Sequence, residues 1–188
     1  MAWDFETEPE FEAKLAWMRE FVRDEIFPLE TLAPEFRSEE GRAVYAKITE
    51  PLKQQVKDQG LWAAHLPPEL GGGGFGQVKL GLMHEILGQS PLAPRIFGNN
   101  APDSGNAELL SLGGTEEQKV KWMQPLLEQE IRSCFSMTEP GAGADPTLLT
   151  TQAVRDGDEW IINGHKWFSS NASVSDILIV MVKTNLDE

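Results

Sequence analysis

The chain has 188 residues, 40% of them hydrophobic and 24% charged, a globular composition that excludes a disordered acidic tail. Sixteen Lys and Arg against 30 Asp and Glu give a formal net charge of -14, which disfavours binding to a nucleic-acid backbone or an anionic membrane surface. The one cysteine, Cys134, excludes an intramolecular disulfide and a thiolate metal cluster, and it suits a reducing compartment.

The start, MAWDFETEPEFEAKLAW, is acidic and has neither a signal peptide's apolar core nor a transit peptide's Arg-rich character. The longest fully apolar run, Ile177–Val182, is too short to cross a bilayer. The expectation is a soluble, acidic, cytoplasmic protein with no membrane span and no nucleic-acid partner. Its length suits one large domain or two small ones.

In chain order, Phe11, Leu15, Met18, Phe21 and Val22 recur at helical spacing and predict a first amphipathic helix. A second runs near Arg42–Gln59, with Pro51 expected to kink or divide it and Gly60 to end it. Val78, Leu82, Ile86 and Leu87 mark the apolar face of a third, and Asn106–Leu112 is a short fourth. Thr115-Glu-Glu-Gln118 is a capping box opening a fifth, which carries Val120, Trp122 or Met123, Leu126 and Leu127.

After about Ile131 the pattern turns to β. Residues 150–155 are strand-like, Asp156-Gly157-Asp158 is a turn, Glu159–Asn163 is β-rich, and Asn163-Gly164 is a second tight-turn signal. Ile177–Lys183 reads as a strand buried on both faces. The fold class is α+β: an all-α helical domain over residues 1–132, followed by the start of a β-sheet or β-barrel domain over 133–188.

Three motifs are set aside. Gly71–Gly76, GGGGFG, formally satisfies a dinucleotide fingerprint, but the preceding LPPEL is no strand, so an interhelical turn is the better reading. His84-Glu85 begins like a zinc-protease helix, but Gly88 stands where the second ligand belongs. His65 and His165 have no metal spacing, and no metal is expected. Cys134, beside Phe135, reads as a buried, inert thiol.

The informative stretches are Ser133–Asp145, SCFSMTEPGAGAD, and Gly164–Asn171, GHKWFSSN. Small residues in the first let a backbone approach a partner closely, and exposed N–H groups there suit a carbonyl, a pyrophosphate or a ring edge. Two aromatics and two hydroxyls in the second suit a planar polar ring. A Gly-rich linker beside a core aromatic pair explains the same residues equally well, and composition names no ligand.

CFSMTEPGAGAD with INGHKWFSSNA resembles the acyl-CoA dehydrogenase family of flavoproteins, as do GLWAAHLPPELGG, the helix ending HEILGQS, and LGGTEEQKVKWMQPLLEQEIRSCF. The resemblance covers nearly the whole chain. APDSGNAELL and WFSSNA look most like the subgroup of the vertebrate members ten and eleven and their bacterial relatives. It implies FAD as cofactor, an acyl-CoA substrate, electron-transfer flavoprotein as electron acceptor, and a homodimer or homotetramer.

Carried over by position, the resemblance implies that Phe135, Met137 and Thr138 contact the flavin. Gly143 and Ala144 close the loop, Phe168 takes the place of a Trp packing on the ring, and the Ser170 hydroxyl reaches it. Ala144 replaces the family's usual Ser, whose hydroxyl helps hold the acyl-CoA pantetheine, so that substrate contact loses its donor. The family's C-terminal four-helix domain, with the Glu base of most members, is absent from these 188 residues, so no catalytic residue is assigned. Glu139 reads as loop scaffold by resemblance, or as a surface or helix-capping carboxylate by its residue type alone. A non-catalytic interaction module with the same fold is the alternative.

Overall fold

The computed structural model describes residues 7–32 and 38–184, so the outermost residues of both predicted domains, 1–6 and 185–188, lie outside the described residues. Two compact units make up the chain, residues 1–100 and 101–188.

The first unit is helical. Helix α1 (Pro9–Phe21) starts with Pro at a position where its missing N–H costs nothing. It runs through a π-helical turn, Val22–Ile26, into α2 (Phe27–Glu30). Phe11, Leu15, Met18, Phe21, Val22 and Ile26 are all buried, as the apolar spacing requires. Helix α3 (Glu39–Asp58) is capped by the Ser38 hydroxyl, which accepts the Gly41 N–H at 2.9 Å. Pro51 does not divide it: the helix continues through the ring, and the buried Thr49 hydroxyl donates to the Tyr45 carbonyl at 2.8 Å. Gly60 follows α3 at φ +66, a left-handed conformation suited to glycine.

Gly71–Gly76 is an interhelical turn between the short 3₁₀ segment Pro68–Leu70 and α4 (Gly76–Leu87). The buried face of α4 is Leu80, Met83, Ile86 and Leu87, whereas Val78 is 79% exposed. The face lies on another part of the helix than expected, because Met83 and Leu80 share the 3.6-residue period with Ile86–Leu87 equally well. Helix α5 (Ala93–Ile96) leads to Phe97, whose ring meets Phe21 edge-on with centroids 5.9 Å apart.

The second unit joins helices to strands. Helix α6 (Asp103–Gly113) buries Asp103, Asn106, Ala107 and Leu110. The capping box forms as read: Thr115 accepts the Gln118 N–H at 3.2 Å, and the Gln118 side chain accepts the Thr115 N–H at 2.9 Å. It opens α7 (Glu116–Gln118), a π-helical stretch Lys119–Met123, and α8 (Gln124–Leu127). Met123 and Leu126 are buried, and Val120 faces solvent.

Strand β1 (Ser133–Ser136) was not legible as a strand; it forms by parallel pairing with β4 (Ile177–Val180), Ser133 opposite Ile177 through Ser136 opposite Val180. Strands β2 (Gln152–Asp156) and β3 (Glu159–Asn163) form an antiparallel hairpin, with Gly157 at φ +60 in its turn. A parallel bridge from Gln152 to Lys183 links the hairpin to the chain beyond β4. The stretch read as doubly buried is shorter and more open: β4 ends at Val180, and Leu178 is 47% exposed. Among the described residues no closed barrel forms, and no helix is long and apolar enough to cross a membrane.

Candidate functional site

Strand β1 delivers the chain into the loop that begins at Met137, and this loop lies against residues 166–169. The Trp167 N–H donates to the Thr138 carbonyl at 2.8 Å. The Lys166 ammonium donates to the Met137 carbonyl at 2.8 Å and to a Glu139 carboxylate oxygen at 2.9 Å. One step back, the Ser136 and Ser169 hydroxyls are 2.7 Å apart. The two stretches singled out from the sequence are thus laced together, Ser136, Met137, Thr138 and Glu139 on one side to Lys166, Trp167 and Ser169 on the other.

Glu139 organises the loop. It is 4% exposed, which corrects its reading as a surface or helix-capping carboxylate. One oxygen accepts the Thr150 N–H at 2.7 Å and the Thr150 hydroxyl at 2.6 Å. The other accepts the Thr151 N–H at 2.9 Å, the Thr151 hydroxyl, and Lys166. The Thr150 hydroxyl above all, then that of Thr151, holds the carboxyl well below the usual carboxylate range; burial opposes the shift, and Lys166 adds to it. Backbone bonds between Glu139 and Ala142, 3.0 and 3.1 Å in the two directions, close the Pro140-Gly141 turn.

Asn163-Gly164 is not a hairpin turn, because the chain runs on past it toward Thr138. Gly164 is needed for close approach: a Cβ there would meet the Thr151 hydroxyl oxygen at 2.2 Å and the Thr151 Cα at 2.6 Å. Beyond it the backbone is unusual. Phe168 has φ +57 and Asn171 φ +71, and the Ser170 N–H donates to the Phe168 carbonyl at 2.6 Å. An aromatic residue in the left-handed region stores strain of the kind found at ligand sites.

Of the residues expected to serve a ligand, Thr138 and Phe168 lie on adjoining hydrogen-bonded segments, and Ser170 is bonded to Phe168. The Phe168 ring is 74% exposed and stacks on Trp167, centroids 5.2 Å apart. The Thr138 hydroxyl has no hydrogen-bond partner among the described residues. Phe135 sits on β1 opposite Ile179, on the face away from Ser136, and Met137 is half-buried beside it. Gly143 and Ala144 are exposed past the turn, and no hydrogen bond among the described residues ties them to 166–170. Lys166 and Ser136 carry no signal of their own in the sequence, and Ser169 enters it only as one of two hydroxyls suited to a ring, not as the partner of Ser136. A lysine two residues past an Asn-Gly pair carries no sign that it will be buried beside a carboxylate.

Two of the residues set aside have local surroundings that account for them. Cys134 is fully buried, and burial pushes its thiol up. His84 bonds to Asn99. Among the described residues no group of three or more His, Cys, Asp or Glu side chains is placed to hold a metal ion.

A helical domain followed by the start of a β domain, with an acid-anchored Thr-Glu-Pro loop, defines the first two portions of a known flavoprotein architecture. Residues 8–130 match the acyl-CoA dehydrogenase N-terminal domain and residues 134–188 the acyl-CoA dehydrogenase middle domain. The chain belongs to the acyl-CoA dehydrogenase family.

It is 39% identical over 174 residues to acyl-CoA dehydrogenase family member 11 of Gallus gallus, covering 89% of this chain and 22% of that protein. It is 39% identical over 176 residues to the acyl-CoA dehydrogenase-type protein FadE2 of Mycobacterium tuberculosis, covering 90% and 42%. A solved structure of an acyl-CoA dehydrogenase-type protein from Mycobacterium abscessus superposes with a TM-score of 0.83 at 36% identity, covering 98% of this chain and 48% of that one. A glutaryl-CoA dehydrogenase from Mycobacterium smegmatis, solved in complex with FADH2, shares the fold: TM-score 0.64, 23% identity, 95% and 44% covered. The chain spans less than half the length of each of these proteins.

The residues present fit a flavin. An exposed aromatic face on a strained backbone suits a planar ring, and the Thr138 hydroxyl is unspent on the segment bonded to it. Gly143 is exposed, and a Cβ there would meet nothing within 4 Å.

Proposed function

We propose that this chain is the helical and middle β portion, divided at residues 132 and 133, of an FAD-dependent acyl-CoA dehydrogenase that introduces an α,β double bond into an acyl-CoA thioester. The observation that carries the reading is the lacing of the Thr-Glu-Pro loop to Lys166–Ser169, which sets the unspent Thr138 hydroxyl on the segment bonded to that of the exposed Phe168 ring. Bound there, FAD supplies the acceptor for the hydride that leaves the β-carbon.

The chain's own residues hold and orient. Thr138 offers its hydroxyl and main chain to the polar edge of the ring, Phe168 packs on its face, and the Ser170 hydroxyl reaches it. Phe135 and Met137 line the apolar side, Gly143 admits close approach, and Ala144 offers a main-chain contact to the pantetheine arm. Removal of the α-proton needs a base within hydrogen-bond reach. Glu139 is unsuited: both its oxygens are filled by Thr150, Thr151 and Lys166, and its carboxyl is held in the ionised form, with little affinity for a proton. The base is therefore a group other than Glu139. Electron-transfer flavoprotein as acceptor, a homodimer or homotetramer, and a cytoplasmic location complete the reading.

The test is spectroscopic. The protein expressed from the whole gene should carry a flavin absorbance that bleaches on adding acyl-CoA. A colourless protein that takes up no FAD would overturn the reading in favour of a non-catalytic interaction module.

A further inference from the structure

Ser136 is a junction. Its main-chain carbonyl accepts the Met181 N–H at 3.0 Å, fixing it to the β4 side of the sheet, while its side chain, 4% exposed, points at Ser169. Each hydroxyl has one hydrogen to donate. Among the described residues the Ser169 hydroxyl is the one acceptor within reach of the Ser136 hydroxyl, so leaving its hydrogen unused would strand a buried donor. Ser136 therefore donates and Ser169 accepts, and the half-buried Ser169 keeps its own hydrogen for the solvent side.

Ser169 sits directly between Phe168 and Ser170. Phe168 precedes it at φ +57, and Ser170 follows it with its N–H folded back onto the Phe168 carbonyl at 2.6 Å. A left-handed aromatic residue persists only where its surroundings over-determine it. Two bonds from outside the segment restrain Phe168 on its two sides, the Trp167 N–H on the Thr138 carbonyl and the Ser136 hydroxyl on that of Ser169; within the segment the Ser170 hydroxyl donates to the Phe168 carbonyl at 3.3 Å and the Ala172 N–H to the Ser169 carbonyl at 3.1 Å. Without the bond from Ser136, the chain has a route back to an extended backbone that turns the Phe168 ring and the Ser170 hydroxyl elsewhere.

We propose that Ser136 and Ser169 are a pair of positioning residues: their hydrogen bond holds Phe168 in its strained conformation and so sets the ring and the Ser170 hydroxyl toward the flavin. This rests on the function proposed above, and the two fail separately. Ser136→Ala, Ser169→Ala, the double variant and Ser169→Thr are made in the whole-gene protein. In cofactor-free protein, amide exchange at Trp167 and Ser170 should quicken in both single variants and stay slow in Ser169→Thr.

In the FAD-loaded protein each Ala variant should bind FAD about five- to tenfold more weakly, the scale of one lost hydrogen bond, and change the visible circular dichroism of the flavin. The double variant should be no worse than the singles, because both remove the same interaction. Unchanged amide exchange in Ser169→Ala, or additive losses in the double variant, overturns the proposal. Failure of the unaltered protein to bind FAD overturns the flavin reading, while the exchange measurement still decides whether the pair holds Phe168.

Discussion

The Lys166 ammonium lies 2.9 Å from the Glu139 carboxylate and 2.8 Å from the Met137 carbonyl, and the two side chains are 10% and 2% exposed. One buried cation thus fastens both the side chain and the backbone of the Thr-Glu-Pro loop. A buried ion pair is costly to assemble and far more costly to halve, because the orphaned charge has no water to turn to. This pair is completed by the amides and hydroxyls of Thr150 and Thr151, which satisfy the remaining lone pairs of the carboxylate.

Acid should therefore act through Glu139. Its carboxyl is held below the usual carboxylate range by the Thr150 and Thr151 hydroxyls and then by Lys166. A group whose folded value is depressed stabilises the fold above its unfolded value, about 4.3 for Glu, and that stabilisation is lost as pH falls below it. Below about pH 5, and progressively down to about pH 2, the unaltered protein should lose stability in urea titrations. Glu139→Gln should be less stable at pH 7 and lose less on acidification. An identical pH slope in the two proteins would show that Glu139 is not the titrating group.

Thr138→Val keeps the volume and the Trp167-to-carbonyl bond but removes a hydroxyl that has no partner in the chain. Stability should be unchanged to within about 0.5 kcal/mol. Flavin binding in the whole-gene protein should weaken by about 0.5–1.5 kcal/mol, the net worth of one hydrogen bond. Equilibrium dialysis with FAD and a thermal melt separate the two effects, and an unaltered flavin affinity would remove Thr138 from the site.

What the sequence made legible follows the reach of each signal. Helix periodicity and capping are local, so α1 and the Thr115 capping box form as read. The hairpin turn at Gly157 is equally local. Strand β1 is four residues long and exists through its pairing with β4, more than forty residues away, so SCFS alone carries no strand signal. The Asn163-Gly164 pair misleads for a related reason. Its glycine answers to Thr151 across the loop rather than to a turn of its own. The two ligand stretches were legible, but the roles of Lys166 and Ser136 and the bond of Ser169 to Ser136 were not, since a lysine and two serines acquire such roles only through the partners that folding brings to them.

Ala144 tests the substrate contact. It is exposed, past the closed turn, and the function proposed above sets its main chain against the pantetheine arm. Ala144→Ser in the whole-gene protein should tighten acyl-CoA binding two- to tenfold, roughly one hydrogen bond, with no change in melting temperature. An unchanged or weaker dissociation constant by calorimetry would mean that the thioester arm is held by other groups.

Gly164 gives the sharpest test of how the site is held. A methyl group there would lie 2.2 Å from the Thr151 hydroxyl oxygen, 2.5 Å from its Cβ and 2.6 Å from its Cα. The last of these is backbone, so a side-chain rotation does not relieve the clash. Either residues 150–152 or residues 163–165 must move, and a move of Thr151 pulls its N–H and hydroxyl from Glu139. Gly164→Ala should cost about 1–3 kcal/mol, the range for forcing extra volume into a packed site. It should also flatten the acid slope described above, because Glu139 loses donors that keep it ionised. Gly141→Ala is the control: a Cβ there meets nothing within 4 Å, and its stability should change by less than about 0.5 kcal/mol. If urea titration gives Gly164→Ala the same midpoint as the control, Gly164 is not packed against Thr151, and the anchoring of the loop through Glu139 does not depend on that approach.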